Sequence, residues 1–234
     1  MMPDTPQPTV VVLISATEEW NAAMAYFGDP TTAESPFGEF TRAFFSDHSV
    51  ILVHGGWGKI SAAAGTQYAI DRWHPDLLIN IGTCGGFEGD VTVGEVILAS
   101  GTLIYDIHER MGNPQEALDF YTTPIDISRL RRPLPQPVRS ALLLSADEDI
   151  DPARVAALRS KYGAIAADWE SGAIAWTCRR NGVRVLILRA VSDLVNDRSG
   201  ELYEGGDFTK CAQTAMLPLL EALPGWVRCA FPGD

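Results

Sequence analysis

Three stretches place carboxylates where an apolar environment is expected. In RAVSDLVND (189–197), Ser192, Asp193, Asn196 and Asp197 follow the apolar run VRVLIL, a buried strand by composition, and stand where that strand should end. In AIAADWESGAIAWTC, Asp168, Trp169 and Glu170 break an apolar stretch just before a helix. In SATEEW, Glu18 and Glu19 follow the first apolar run of the chain. A carboxylate buried without a partner is costly, so Glu170 should be bonded to something. An acid that holds its proton near neutrality, through burial or a neighbouring carboxylate, can protonate a leaving group, and an ionised one can activate water. A carboxylate that accepts two adjacent hydrogen bonds suits the hydroxyls of a sugar. The plain alternative for Glu18, Glu19 and Glu170 is a helix start, where acidic side chains meet the favourable end of the dipole and cap amides.

Glycines gather after two other runs. HGGWGKIS holds Gly55, Gly56 and Gly58, and IGTCGGF holds Gly82, Gly85 and Gly86 around Thr83 and Cys84. Glycine at a strand end allows close backbone approach or positive φ. Neither stretch has the G-x-G-x-x-G or G-x-x-x-x-G-K-[ST] spacing of dinucleotide and P-loop sites, and each alone is also an ordinary tight turn.

The elements that must position these residues follow from the periodicity. Short apolar runs (TVVVLIS, SVILVHG, DLLINIG, GEVILAS, ALLLSA, VRVLIL) alternate with helical patterns, ending in the amphipathic FTKCAQTAMLPLLEALPGWV. This is an α/β domain with a mostly parallel or mixed sheet. Such sheets bind ligands beyond their strand ends, where the carboxylates and glycines lie. The chain of 234 residues, 46% of them hydrophobic, suffices for one domain, 9–234, after a polar, flexible N-terminus, 1–8. The segment 105–138 is Pro-rich and charged without steady period; it reads as loops with one short helix, a lid or interface arm. The stripe Ile174, Trp176 and Cys178 reads as sheet-facing core, and His54 and His108 as structural histidines.

Other classes are excluded. A net charge of −12 opposes nucleic acid and anionic membrane as partners. No apolar run approaches the roughly 20 residues of a membrane span. The N-terminus lacks a signal-peptide pattern, which implies a cytoplasmic protein. Cys84, Cys178, Cys211 and Cys229 show no C-x-x-C spacing and read as buried thiols rather than disulfides or a zinc site.

With IGTCGGF, ADWESGAIA and RAVSD in this order and at these separations, the chain resembles the nucleoside phosphorylase and nucleosidase superfamily, and within it the methylthioadenosine/S-adenosylhomocysteine nucleosidases, from about Val10 to about Leu223. The resemblance implies a three-layer α/β/α sandwich with a mixed, partly barrel-like central sheet. It implies a homodimer that cleaves the N-glycosidic bond of a purine nucleoside, a small-molecule substrate, with no cofactor and no metal. Asp193 then matches the acid that protonates the purine at N7, with Ser192 beside it. Glu170 matches the glutamate on the ribose 2′- and 3′-hydroxyls. Trp169 takes a position that often holds methionine against sugar and base, and Thr83, Cys84 and Gly85 fall in the turn under the nucleoside. Phe208, or alternatively Tyr203, covers the 5′ end and base. In the family's Ser-Gly-Asp-x-Phe segment this chain has Ala146 for the glycine and Asp149 for the stacking phenylalanine, while Ile150 follows with backbone along the base edge. Loss of that stacking partner costs about 1–3 kcal/mol of base binding, which Trp169 compensates from the other side. In related dimers a partner loop closes the 5′ pocket; 105–124, with Met111 and Pro114, corresponds to it.

The first loop separates hydrolysis from phosphorolysis. Carboxylates beside a phosphate dianion repel it by several kcal/mol (about ε 20 in a poorly solvated pocket), whereas a carboxylate suits water activation. The family's water-activating glutamate stands four residues after the loop alanine; Glu19 is three after Ala16, so a one-residue deletion assigns the role to Glu19, with Glu18 second. The alternatives are a phosphorylase that gathers phosphate with Arg42, Arg110 or Arg189, and a non-catalytic nucleoside-binding or storage protein on the same scaffold.

Overall fold

Five consecutive aliphatic residues, all buried, make β1 (Val10–Ile14) an interior strand. The chain continues through α1 (Thr17–Tyr26), β2 (Ala33–Ser35), β3 (Gly38–Phe44), β4 (Ser49–His54), α2 (Gly58–Trp73), β5 (Leu77–Phe87), β6 (Val96–Ile104), α3 (Pro114–Phe120), β7 (Thr122–Pro124) and β8 (Arg139–Ser145). A 3₁₀ turn (Pro152–Arg154) leads into α4 (Val155–Tyr162), β9 (Ala166–Asp168), α5 (Ser171–Asn181), β10 (Val185–Val195) and α6 (Phe208–Ala230). The computed structural model describes residues 7–45 and 48–231, so the first six residues of the flexible N-terminus expected over 1–8 lie outside the described residues.

The strands form one mixed sheet in the order β10-β6-β8-β9-β5-β1-β4-β3-β2, with β7 on β6. Because β10 also pairs with β5, the strands β5, β10, β6, β8 and β9 close into a ring, and β1 to β4 extend from it as an open wing. The sequence expectation of a mixed, partly barrel-like sheet is met. The layers follow from strand alternation. Val10, Val12 and Ile14 face a cluster that includes Trp20 of α1 and Met216, Leu219, Leu223 and Trp226 of α6. Val11 and Leu13 face the opposite cluster, with Ala62 and Ala69 of α2 and Ile174 and Cys178 of α5.

Two expected strand ends are corrected. IGTCGGF is the second half of β5 rather than a turn, and RAVSDLV continues β10 as far as Val195. The two strands run parallel from Leu78↔Val185 to Phe87↔Val195, with a register shift between Val191 and Asp193. The β5 glycines serve close approach and not positive φ, whereas Gly56 and Gly58 of the other cluster adopt positive φ. A Cβ on Gly82 would lie 1.9 Å from Nη1 of Arg189, and one on Gly85 would lie 2.7 Å from Cδ1 of Ile150. Only a strand without side chains at these points leaves room for what packs over it.

The stripe on α5 also divides. Ile174 and Cys178 are fully buried, but Trp176 lies under the 105–138 segment, its indole N–H donating to the Phe120 carbonyl at 3.1 Å. Residues four apart share a helix face and residues two apart do not. That segment holds one short helix, α3, as expected, and also β7, which pairs with β6. Cys84, Cys178 and Cys229 are buried, Cys211 is partly so, and all four are free thiols. Among the described residues no helix is long and apolar enough to cross a membrane.

Candidate active site

A cavity of about 570 Å³ opens beyond the ends of β1 and β9, over the second halves of β5 and β10. Asp193, Ser192, Glu19, Glu170, Trp169, Thr83, Cys84, Gly85, Ile150 and Phe208 all line it, as do Glu18, Asp149 and Tyr203. Residues from seven separate segments thus meet at one place, as the crevice rule for open sheets anticipates.

At its floor, Glu19 leaves the first turn of α1 and is only 3% exposed. Its Oε1 accepts from the backbone N–H of Thr83 at 2.6 Å and the Thr83 hydroxyl at 2.8 Å, and its Oε2 accepts from the Ala16 N–H at 3.2 Å. Glu18 lines the same cavity but is partly exposed and carries no such anchoring. Two residues further along β5, a Cβ on Gly85 would sit 3.8 Å from Oδ2 of Asp193. Strand rise therefore separates the two acids' footings by roughly 7 Å on one face of β5.

Asp193 sits at the irregularity of β10 beside Ser192, whose hydroxyl lies 2.6 Å from Oδ1 of Asp193 and 3.2 Å from the Cys84 carbonyl. Burial pushes the Asp193 carboxyl above the ordinary range; the Ser192 bond opposes this, and the charges of Glu201 and Asp149 add to it. Asp149, where a stacking ring was absent from the sequence, thus stands in the cavity as a charge that helps Asp193 keep its proton. Tyr203 donates to the Ile150 carbonyl at 2.9 Å and closes this side.

Glu170 precedes α5 but caps none of its amides. Its Oε1 accepts instead from the N–H of Gly58 at 3.1 Å, joining the starts of α5 and α2. Burial lifts its acid to about 8, with Asp168 and Glu19 adding to the lift and Arg189 opposing it. The fold therefore holds a proton that the unfolded chain releases between pH 4.5, the ordinary value, and about 8. Stability from this group is full below the lower value and is lost as pH rises through the upper one. Raised Asp193 acts with the same sign. Thermal melting should shift down as pH is raised across that window, and Glu170→Gln should flatten the dependence; an unchanged slope in the variant would show that Glu170 is ionised in the fold.

Beneath the carboxyl groups lies a cation that the sequence offered only as a phosphate collector. Arg189 is fully buried, with Nε 2.6 Å from Oδ2 of Asp168 and 3.0 Å from the Ser171 hydroxyl, and Nη2 donating to Oδ1 of Asn80 at 2.9 Å. Asp168 also accepts from the Ser145 hydroxyl at 2.7 Å. Burial alone would lower the Arg189 guanidinium, but Asp168, Glu19 and Glu170 outweigh it and fix its charge. A guanidinium so committed does not line the cavity. Arg42 and Arg110, the other phosphate candidates, line separate depressions. Burial and then Asp168 push the Cys84 thiol well up, so it stays protonated.

Of the remaining residues, His54 stacks on Trp20, His108 lines the depression with Arg110, and Asp197 is exposed outside the cavity. Sequence reasoning missed Trp57, which lines the cavity stacked on Trp169, ring centroids 4.9 Å apart and 23° from parallel. The signal was an indole between glycines directly after a buried strand. For Arg189 it was a charge inside VLILRAV, which demands partners as strongly as a buried carboxylate does.

Residues 10–222 match the phosphorylase superfamily. A 5′-methylthioadenosine/S-adenosylhomocysteine nucleosidase of Tolumonas auensis is 30% identical over 178 residues, 71% of this chain and 77% of that protein. One of the same name from Bacillus cytotoxicus is 28% identical over 207 residues, 83% and 90% of the two chains. Among solved structures, the nucleosidase of this name from Campylobacter jejuni aligns with a TM-score of 0.77 at 20% identity, covering 96% of this chain and 99% of the other. Futalosine hydrolase of Helicobacter pylori aligns with 0.77 at 17%, covering 94% and 97%. At these identities the structural likenesses speak for the fold.

Proposed function

The chain belongs to the phosphorylase superfamily, and on that premise we propose that it hydrolyses the N-glycosidic bond of a purine nucleoside of the 5′-methylthioadenosine or S-adenosylhomocysteine type, the substrates its relatives are named for. The observation that carries this reading is two buried carboxyl groups, Glu19 and Asp193, in one cavity whose lining contains no Lys, Arg or His. A phosphate dianion entering there would meet Glu19 with no cation in the lining to offset it, whereas water meets a base.

In this reading Glu170 takes the ribose hydroxyls and Ile150, Tyr203 and Phe208 border the base. Glu19 accepts a proton from water as its oxygen bonds to C1′. The C1′–N9 bond breaks with its electron pair going to the base, and Asp193 delivers its proton to N7. Free purine and a sugar with an anomeric hydroxyl leave, and one proton exchanged through solvent restores both acids. Ser192 holds the Asp193 carboxyl in place. Trp169 and Trp57 wall the sugar side. The reading includes a single domain over 9–234, a cytoplasmic location and a homodimer, in which Met111, 97% exposed on the 105–124 arm, meets a second copy.

The test is product release in phosphate-free buffer from methylthioadenosine, S-adenosylhomocysteine, adenosine and inosine. Free base together with a reducing sugar is the expected result. Release that requires phosphate would make the protein a phosphorylase, and tight binding without release would make it a binding protein.

A further inference from the structure

α2 begins without a cap of its own. Its N-cap residue, Trp57, makes no side-chain bond to the helix, so the N–H groups of Gly58 and Lys59, the first two of α2, need acceptors from elsewhere. Each finds a carboxylate far along the chain. The Gly58 N–H donates to Oε1 of Glu170 at 3.1 Å, and the Lys59 N–H donates to Oδ1 of Asp147 at 2.7 Å. Neighbouring amides are thus divided between an acid inside the cavity and one just past β8 that lies outside its lining. The turn is shaped for this: Gly58 has φ +80°, and a Cβ on it would stand 3.2 Å from Oδ1 of Asp147.

The Lys59 side chain closes the arrangement. Its ammonium donates to Oδ2 of Asp106, just past β6, and lies 3.8 Å from Oδ2 of Asp147. The same Asp106 oxygen accepts from the Asp147 N–H at 3.1 Å. The Lys59 and Asp106 side chains are each 18% exposed, which shields their pairing from the screening that weakens surface pairs. The other oxygen of Asp106 is buried with no partner among the described residues. That costs stability, and a group left so in a folded protein calls for a role beyond packing.

Glu170 depends on this turn. Among the described residues the Gly58 N–H makes the one hydrogen bond that Glu170 accepts, and Arg189 stands 3.8 Å from its other oxygen. We propose that Lys59, Asp106 and Asp147 are positioning residues: they hold the start of α2 so that the Gly58 N–H orients Glu170 toward the ribose hydroxyls. The proposal rests on the nucleosidase reading and concerns how its sugar contact is set.

Adenosine and 3′-deoxyadenosine test it, because only the first carries both hydroxyls. For each, kcat/KM is measured in phosphate-free buffer and Kd by tryptophan fluorescence, with the wild type, Asp147→Ala, Asp147→Asn and Lys59→Met. Asp147→Ala and Lys59→Met should each lower kcat/KM for adenosine about tenfold and that for 3′-deoxyadenosine less than about twofold, so the preference for the ribose shrinks. Asp147→Asn, whose amide oxygen still accepts from the Lys59 N–H, should keep most of the preference. In a Glu170→Ala background Asp147→Ala should change the ratio no further, since its effect passes through Glu170. Equal loss with both substrates, as a weakened fold would give, overturns the proposal, and so does a ratio that stays at the wild-type value or a wild type without preference. If Asp147→Ala does not fold, Lys59→Met decides. Cleavage of neither substrate by the wild type would instead overturn the nucleosidase reading, and the ratio of dissociation constants would still decide whether the cluster orients Glu170.

Discussion

Asp193→Asn is expected to lower kcat for base release by about 10²- to 10⁴-fold while changing the dissociation constant for the nucleoside only a few-fold. The amide has the shape of the acid and still meets the Ser192 hydroxyl, which lies 2.6 Å from Oδ1. It has no proton to surrender to N7. Burial and the charges of Glu201 and Asp149 raise the native acid against the Ser192 bond, so activity should also decline on the alkaline side as that proton is lost, and this limb should vanish in the residual rate of the variant. Single-turnover rates across pH, with binding measured separately, check both statements. A variant that turns over at the native rate would remove Asp193 from the chemistry, and equal loss in binding and rate would make it a structural residue.

The largest expected effect on stability comes from Arg189→Met. The guanidinium is fully buried and neutralises Asp168 at 2.6 Å, with Glu170 at 3.8 Å and with Glu19 packed, as it is, over Gly82. Removing one partner of a buried ion pair costs about 3–5 kcal/mol because the other is left uncompensated. Domains are stable by about 5–15 kcal/mol in all, so the variant should unfold at much lower urea. Arg189→Met combined with Asp168→Asn should recover part of the loss, since the orphaned charge is then gone. Urea midpoints for the two singles and the double measure the coupling. Native-like stability of Arg189→Met would show that these carboxyl groups are satisfied without it.

The architecture was largely legible because its signals are local. Alternate burial of Val10 to Ile14 between two helical layers is what a short, wholly aliphatic run between helical patterns must do. Glu170 and Asp193 were legible for the opposite reason, since each interrupts an apolar pattern and such an interruption needs a partner, whereas Glu19 was singled out over Glu18 by the family resemblance. Strand extents were not legible. Gly82, Gly85, Ser192 and Asp193 look like the end of a strand, and only the packing of Arg189 and Ile150 over bare backbone explains why pairing continues through them. Long-range partnerships were equally hidden. Nothing near Glu170 in sequence announces Gly58, 112 residues away, and nothing near Trp169 announces Trp57. Trp176 was misplaced because a two-residue repeat was read on a helix.

The ring has a consequence for biosynthesis. β10, which carries Asp193, inserts between β5 and β6 and is the last strand made. Until it emerges from the ribosome, a nascent chain exposes one whole side of β5 and part of β6, and unpaired strand edges recruit neighbours. Arrival of the final strand seals both edges and brings Asp193, the proposed proton donor, into the cavity in the same event, so a chain cut short before residue 185 is expected to be both inert and prone to self-association.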